Sequence, residues 1–209
     1  MIVLTRSRVT IFVSVCILAL LPPSAYADTT CDFEFGLGHN AQAIGSILGL
    51  VFSTTTGGGV LYADINSAWY SVTSDNGKVY EDGEYFVSGD VAAYVPNLSD
   101  RMMISFPYGT ASYLTVGYSS QFQFLMEGYD GSGTLLTSAT GPANVKSQGG
   151  TGLCYLTLSG SGMRYAILHD QGRYWMIDNI TTDAVVPEPA SLMVLLAGLG
   201  GLAALRRRS

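Results

Sequence analysis

Positive charge is scarce in this sequence, and the scarcity narrows the classes of partner. There are 10 Lys and Arg against 16 Asp and Glu, which gives a formal net charge of −6 at pH 7. Between residues 28 and 185 the chain has 5 cations and 15 acids, and 5 − 15 gives −10. A nucleic-acid-binding surface needs the opposite sign, because phosphates attract Lys and Arg. We therefore expect no nucleic-acid partner.

Groups typical of catalytic sites are also scarce. The two histidines do not form an H-E-x-x-H motif and C-x-x-C is absent, so nothing predicts a transition-metal site. No G-x-S-x-G motif occurs, and residues 131–133 and 160–162 are typical of hairpin turns. We expect His39 in a surface loop and His169 capping a turn beside Asp170. The prediction is a protein that is not an enzyme, with a secreted hydrolase that uses an unrecognised site as an alternative.

The N-terminus has the three parts of a secretory signal peptide. Arg6 and Arg8 are basic, residues 9–21 form an apolar stretch, and residues 25–27 place alanines at the two positions that a signal peptidase reads. We expect signal peptidase to cut after residue 27, so that the mature chain starts at Asp28. The protein is predicted to be exported.

Cysteine is limited to three residues, one of which, Cys16, lies in the signal peptide. Cys31 and Cys154 remain, in a compartment that permits disulfides. We predict a Cys31–Cys154 disulfide, which by chain entropy would stabilise the fold by ~4–5 kcal/mol. Two free buried thiols are the alternative.

The most distinctive segment is the C-terminal tail. Pro187, Glu188 and Pro189 precede residues 190–205, which carry no charge, and Arg206, Arg207 and Arg208 follow. As a helix the apolar run would be about 24 Å long, whereas a bilayer core is ~30 Å thick. We predict a short hydrophobic transmembrane helix that holds the chain briefly in the inner membrane, with its arginines on the cytoplasmic side. An ordinary tail anchor is the alternative.

This tail resembles the PEP-CTERM sorting signal of Gram-negative bacteria. The Pro-Glu-Pro motif, the hydrophobic helix and the arginine cluster occur in the family's order within residues 186–209. The resemblance implies that exosortase, a membrane-embedded cysteine protease, processes the tail. It also implies a destination in the outer envelope, at the cell surface or in the extracellular matrix. Association with exopolysaccharide, and hence with biofilm, follows from the same resemblance.

Between the signal peptide (1–27) and the sorting signal (186–209), residues 28–185 are expected to form one all-β domain. About ten β-prone runs alternate with Gly-, Asn-, Asp- and Ser-rich turns, at the spacing typical of an antiparallel sandwich. A helical pattern occurs only in residues 41–50. Residues 31–35 resemble the opening strand of exported jelly-roll domains of the galactose-binding or lectin-like type, and residues 127–133 together with 175–180 resemble their closing half. We predict a two-sheet jelly-roll β-sandwich.

One group of acidic residues suggests a structural metal ion. Glu81, Asp82 and Glu84 lie within four positions, and oxygen ligands on loops are what Ca²⁺ prefers. Asp178 would add a ligand if the last strand meets an N-terminal carbonyl, as the jelly-roll resemblance implies. A solvated acidic hairpin is the alternative, because the spacing is not that of an EF-hand. Apart from this Ca²⁺ we expect no cofactor.

Aromatic residues are the other functional signal. Exposed Trp and Tyr rings suit sugar rings, so Trp69, Tyr70 and Tyr174 are candidate sugar contacts. Trp175 is expected in the core, since neighbouring residues of a strand point to opposite faces. We predict a structural or adhesive exported protein associated with extracellular polysaccharide. A carbohydrate-binding module that recognises a specific glycan is the first alternative.

Overall fold

The computed structural model describes residues 28–67, 70–97, 100–172 and 174–184. These residues form 16 strands and two 3-10 helices. The strands are β1 (Thr29–Cys31), β2 (Ala43–Ile44), β3 (Ser46–Ile47), β4 (Leu50–Thr54), β5 (Val60–Asp64), β6 (Val72–Ser74), β7 (Val79–Tyr80), β8 (Tyr85–Val87), β9 (Val91–Tyr94), β10 (Met102–Ser105), β11 (Ala111–Ser120), β12 (Phe124–Tyr129), β13 (Leu135–Gly141), β14 (Cys154–Met163), β15 (Tyr165–Asp170) and β16 (Trp175–Thr182). The 3-10 helices are η1 (Glu34–Gly36) and η2 (Lys146–Gln148).

Two antiparallel sheets make up the domain. Sheet A has the order β14-β11-β16-β9-β5-β2, with β1 also paired to β16, and sheet B has the order β13-β12-β15-β10-β4-β3. Consecutive strands alternate between the sheets at several points, as β11 and β12 do, which is why the inner faces can share one core. The all-β, two-sheet sandwich predicted from the turn spacing is confirmed.

The main core lies between the inner faces of the two sheets. Its centre is an aromatic stack in which Tyr118 and Phe124 lie 4.5 Å apart at 7°, and Phe124 meets Trp175 edge-on at 5.3 Å. Phe124 is fully buried and Trp175 is 8% exposed, so Trp175 is a core residue as predicted. Buried aromatics of this kind are worth about 3–5 kcal/mol each against alanine.

A third, small sheet of order β7-β6-β8 covers part of the outer face of sheet A. Beneath it lies a second apolar cluster, which includes Val72, Val87 and Met176. The Phe86 amide of β8 donates to the Ser119 hydroxyl of β11 over 3.0 Å, which fixes the small sheet to sheet A. One end of sheet A is therefore buried on both faces.

Two local predictions were wrong. Residues 41–50 form β2, β3 and the start of β4, because Ala41 and Leu48 adopt positive φ angles of 58° and 49° that interrupt any helix. Residues 160–162 continue β14 to Met163, and the chain turns at Arg164, whose carbonyl accepts from Phe106 over 2.9 Å. The apolar spacing of residues 41–50 favoured a helix, and the glycines of residues 160–162 favoured a turn. In both segments pairing with neighbouring strands determines the conformation instead.

The predicted signal peptide and sorting signal lie outside the described residues, and so does the predicted transmembrane helix. Within the part of the chain that the structure describes, no helix is long and apolar enough to cross a membrane.

Candidate functional site

Exposed aromatic side chains meet at one end of the sandwich. Ser120, the last residue of β11, pairs with Trp175, the first residue of β16, so the loops next to them lie side by side. The Gln121 amide donates to the Tyr174 carbonyl over 3.3 Å. Phe122 is 46% exposed and Tyr174 is 53% exposed. We call Phe122, Tyr174 and the nearby Gln121, Gln148 and Tyr85 the loop-end surface.

Both loops of this surface are held by one buried carboxylate, Asp170. Its Oδ2 accepts from the Ser120 hydroxyl over 3.0 Å, and its Oδ1 accepts from the Gly172 amide over 2.9 Å. The Phe122 amide donates in turn to the Ser120 hydroxyl over 3.3 Å. Burial raises the pKa of Asp170, against the lowering effect of these hydrogen bonds. Asp170 therefore links Ser120, at the start of one loop, to Gly172 in the other.

Gly172 is the residue on which the Phe122 ring rests. A Cβ at this position would lie 2.0 Å from the Phe122 Cδ2 atom, so any side chain would displace the ring. The orientation of the exposed ring thus depends on a glycine in the neighbouring loop.

Amide and hydroxyl groups surround the aromatic rings. Gln148 of η2 donates through Nε2 to the Gln121 carbonyl over 2.7 Å, and η2 is anchored by the Lys146 amide, which donates to the Glu84 carbonyl over 3.0 Å. Burial raises the pKa of Tyr85, with further raising from Glu84 and the nearby Tyr174. A cleft of about 300 Å³ adjoins Gln148 and is lined by residues 142–144 and 148–154. The surface can stack on an apolar ring face and hydrogen-bond to hydroxyls.

The three predicted sugar contacts have different positions. Tyr174 lies in the loop-end surface. Tyr70 packs edge-on against Tyr94 at 5.7 Å beside the second cluster, and burial raises its pKa, so its ring is part of the packing. Trp69 lies outside the described residues. Phe122 was not among the predicted contacts; it lies in the loop before β12, which begins only at Phe124.

The predicted calcium ligands are not brought together. Asp82 accepts from the Ser71 hydroxyl, and Glu84 accepts from the Ser147 amide over 3.2 Å, so both side chains are used in loop contacts. Glu81 has a positive φ of 50°, which turns the chain between β7 and β8. Among the residues that the structure describes, no three His, Cys, Asp or Glu side chains are grouped as a metal site. The structure therefore does not group Glu81, Asp82, Glu84 and Asp178 as one metal site.

Asp178 has a different environment, at the buried end of sheet A. Its carboxylate is fully buried and accepts from the Ser88 amide over 2.9 Å and the Asn179 amide over 2.7 Å. Asn179 has a φ of 49° at an irregularity in the pairing of β16 with β11. Burial, together with the nearby carboxylates of Glu34 and Asp32, raises the pKa of Asp178 to about 8, against the lowering effect of its two hydrogen bonds.

These acids partly fit a hard cation. Glu34 Oε1 already accepts from the Asp90 amide over 2.8 Å and the Val91 amide over 3.0 Å. Asp178 and Glu34 could offer carboxylate oxygens to Ca²⁺, which prefers hard oxygen ligands. Backbone carbonyls would have to complete the coordination.

The predicted disulfide is not formed, and Cys31 and Cys154 are free thiols. Cys31 pairs with Ile180 of β16, whereas Cys154 pairs with Tyr118 of β11, so two strands separate β1 from β14. Three strand spacings of ~4.8 Å place the cysteines about 14 Å apart, beyond the ~7 Å limit between Cα atoms for a disulfide. Burial raises the pKa of the Cys31 thiol to about 11, which makes it unreactive.

The two histidines also occupy separate places. His39 is exposed in the turn after η1, as predicted. His169 lies within β15 rather than in a turn, and its Nε2 is 3.7 Å from Glu127 Oε2, which is also 3.8 Å from Arg101 Nη1. Glu127 Oε2 is buried without a hydrogen-bond partner.

Comparison with solved structures finds similar β domains at low identity. The K2 cleaved adhesin domain of Lys-gingipain is 13% identical, with a TM-score of 0.45 over 75% of this chain and 99% of that one. The K1 adhesin domain from Porphyromonas gingivalis W83 is 14% identical, with a TM-score of 0.42 over 76% and 99%. CsCBM6-3 from Clostridium stercorarium, solved with cellobiose, is 15% identical, with a TM-score of 0.30 over 74% and 92%.

The sequence comparisons concern the C-terminal tail. A search of the curated proteins finds no match to this chain. A family model of the PEP-CTERM protein-sorting motif matches residues 185–209, which confirms the interpretation of the tail. The chain carries the PEP-CTERM sorting signal of proteins exported to the cell surface of Gram-negative bacteria and processed by exosortase.

Proposed function

We propose that this exported protein is adhesive and binds a neutral glycan at its loop-end surface. The observation that carries the proposal is the pair of exposed rings, Phe122 and Tyr174, on two loops tied to one buried carboxylate. Rings that are about half exposed contribute little to the stability of the fold, but they offer flat faces to a sugar ring. Through this contact the protein would associate with extracellular polysaccharide and contribute to a biofilm.

Preorganisation supports this site over other exposed aromatic residues. Binding costs less when the contact residues are already ordered. Phe122 rests on Gly172, and its own amide is hydrogen-bonded to Ser120. The glutamine amides beside the rings, Gln121 and Gln148, can donate to and accept from sugar hydroxyls.

Charge favours a neutral glycan over an acidic one. Residues 28–185 carry a net charge of −10, from 5 cations and 15 acids. Beside the loop-end surface lie the acids Glu84 and Asp170 and the cation Lys146 of η2. An anionic polysaccharide would be repelled by this field, especially at low ionic strength.

Titration of the exported protein with neutral and acidic oligosaccharides tests the proposal. Phe122→Ala and Tyr174→Ala should each weaken binding of neutral oligosaccharides by about tenfold, equal to ~1.4 kcal/mol. Tyr108→Ala is the matched control, because Tyr108 is 59% exposed in the loop before β11, at the opposite end of that strand. Binding that survives both loop-end substitutions, or that occurs with acidic glycans alone, would contradict the proposal.

A structural role for Ca²⁺ at Asp178 and Glu34 is a second proposal, supported by the buried carboxylate and its acidic neighbours. The ion would balance the charge where the first and last strands meet. We also propose that the protein is not an enzyme. A panel of ester and glycoside substrates tests this, and turnover at an ordinary enzymatic rate would overturn it.

A further inference from the structure

One lateral side of the sandwich consists of two long outer strands. β13 is the last strand of sheet B and β14 is the last strand of sheet A. The two strands lie next to each other, since a Cβ on Gly160 of β14 would be 2.8 Å from Thr137 of β13. We call this the β13/β14 side.

This side is nearly free of charge. Between Asp130 and Arg164 the single charged residue is Lys146, which lies in η2 rather than in either strand. The domain as a whole carries −10, so two copies repel each other over most of their surface. On the β13/β14 side this repulsion is weak, because neither strand carries a charged residue.

The outer strand β13 lacks lysine and proline, although a bulge at Leu136 interrupts its pairing with β12. Natural edge strands are shortened, or carry lysine or proline, to prevent pairing with another chain. β13 has seven residues without charge or proline, and Leu135 and Leu136 are 49% and 40% exposed. At the opposite ends of the sheets, β2 and β3 have two residues each.

We propose that β13 pairs with β13 of a second copy of this chain, antiparallel and about a twofold axis. Such pairing would join two copies of sheet B into a continuous sheet and place uncharged residues against uncharged residues. A second copy is the occupant that fits, because the strand is complementary to itself and the rest of the domain repels its like. For an adhesive protein at the cell surface, this would double the number of loop-end surfaces per particle.

Cysteine cross-linking in the full chain, exported by the producing cells, tests the pairing. We would place single cysteines at Thr137, Ser138 and Ala139 in a Cys154→Ser background, because a residue near a twofold axis meets its own copy. Under oxidation at least one variant should give a disulfide dimer at ten times the yield of Val79→Cys. Val79 is 56% exposed on the short strand β7 and serves as the matched control.

Leu136→Lys distinguishes edge pairing from general association. The substitution makes the net charge less negative and so weakens the repulsion between copies. If the copies associate in a general way, the yield of dimer should therefore increase. Edge pairing predicts the opposite, a decrease in cross-linked dimer of at least tenfold, because a lysine on an edge strand opposes pairing with another chain. Thr140→Lys, at another exposed position of β13, gives the same test if Leu136→Lys does not fold.

Three results would overturn the proposal: cross-linking no stronger than with Val79→Cys, dimers unaffected by both lysines, or a cross-link to a different protein.

Discussion

Tyr174 of the loop-end surface and Asp178 of β16 lie four residues apart along the chain and have opposite environments. Tyr174 is an aromatic residue that is 53% exposed, whereas Asp178 is a carboxylate with no exposure. Between them Met176 packs under the small sheet. Since folding normally buries rings and exposes charges, both positions depart from what stability alone favours. The exposed ring is expected to matter for binding, and the buried carboxylate for stability and its dependence on conditions.

The largest expected effect is the pH dependence of stability from Asp178. Its pKa is raised from 3.8 to about 8 by burial, so the folded protein holds a proton that the unfolded chain releases. The stabilising contribution is complete below pH 4 and is lost progressively as the pH rises to 8, by at most ~6 kcal/mol. Thermal unfolding between pH 4 and 9 measures it. Asp178→Asn should be less stable at pH 5 and should lack this slope.

Calcium sharpens this prediction. A Ca²⁺ ion bound by the ionised Asp178 carboxylate would offset the loss of stability at high pH. Millimolar Ca²⁺ should therefore raise the melting temperature at pH 8 far more than at pH 5. Asp178→Asn should not respond. Equal melting temperatures with Ca²⁺ and with a chelator at pH 8 would contradict the calcium proposal and leave the pH slope intact.

Gly172→Ala should produce the next largest effect, this time on binding. The new Cβ would overlap the Phe122 ring, so the ring must move from its present position. We expect a loss of glycan affinity similar to that of Phe122→Ala, about tenfold, because the ring would be present but misplaced. Gly131→Ala is the control, since the atom nearest to its added Cβ is at 3.5 Å. Unchanged affinity in Gly172→Ala would show that the ring position is irrelevant.

The same comparison shows what the sequence could and could not predict. Alternation along a strand placed Trp175 in the core, because that prediction depends only on neighbouring residues. The tail was recognisable because its three parts are contiguous. The exposure of Phe122 depends on where β11 stops pairing with β16, and the proximity of Asp178 to Glu34 depends on β1 lying beside β16. Both are long-range pairings that spacing alone does not reveal.

A smaller effect is expected on stability at the loop-end surface. Tyr174→Ala removes a ring that is more than half exposed, so unfolding free energy should change by less than ~0.5 kcal/mol. The core substitution Phe124→Ala should cost about 3–5 kcal/mol. Denaturant unfolding of both variants separates the two roles. A large destabilisation by Tyr174→Ala would indicate that the ring supports the fold, and its loss of glycan affinity would then no longer identify a contact.

The smallest expected effect is that of reduction on the melting temperature. A disulfide between the two cysteines would make this effect large. With Cys31 and Cys154 about 14 Å apart, on strands separated by two others, reduction breaks no bond and should leave the melting temperature unchanged. A disulfide closing the same loop would have contributed ~4–5 kcal/mol. Thermal unfolding with and without reductant, together with thiol titration after denaturation, measures this. Two titratable thiols and equal melting temperatures are expected, whereas a lower melting temperature on reduction would require β1 and β14 to be neighbours and would contradict the strand order of sheet A.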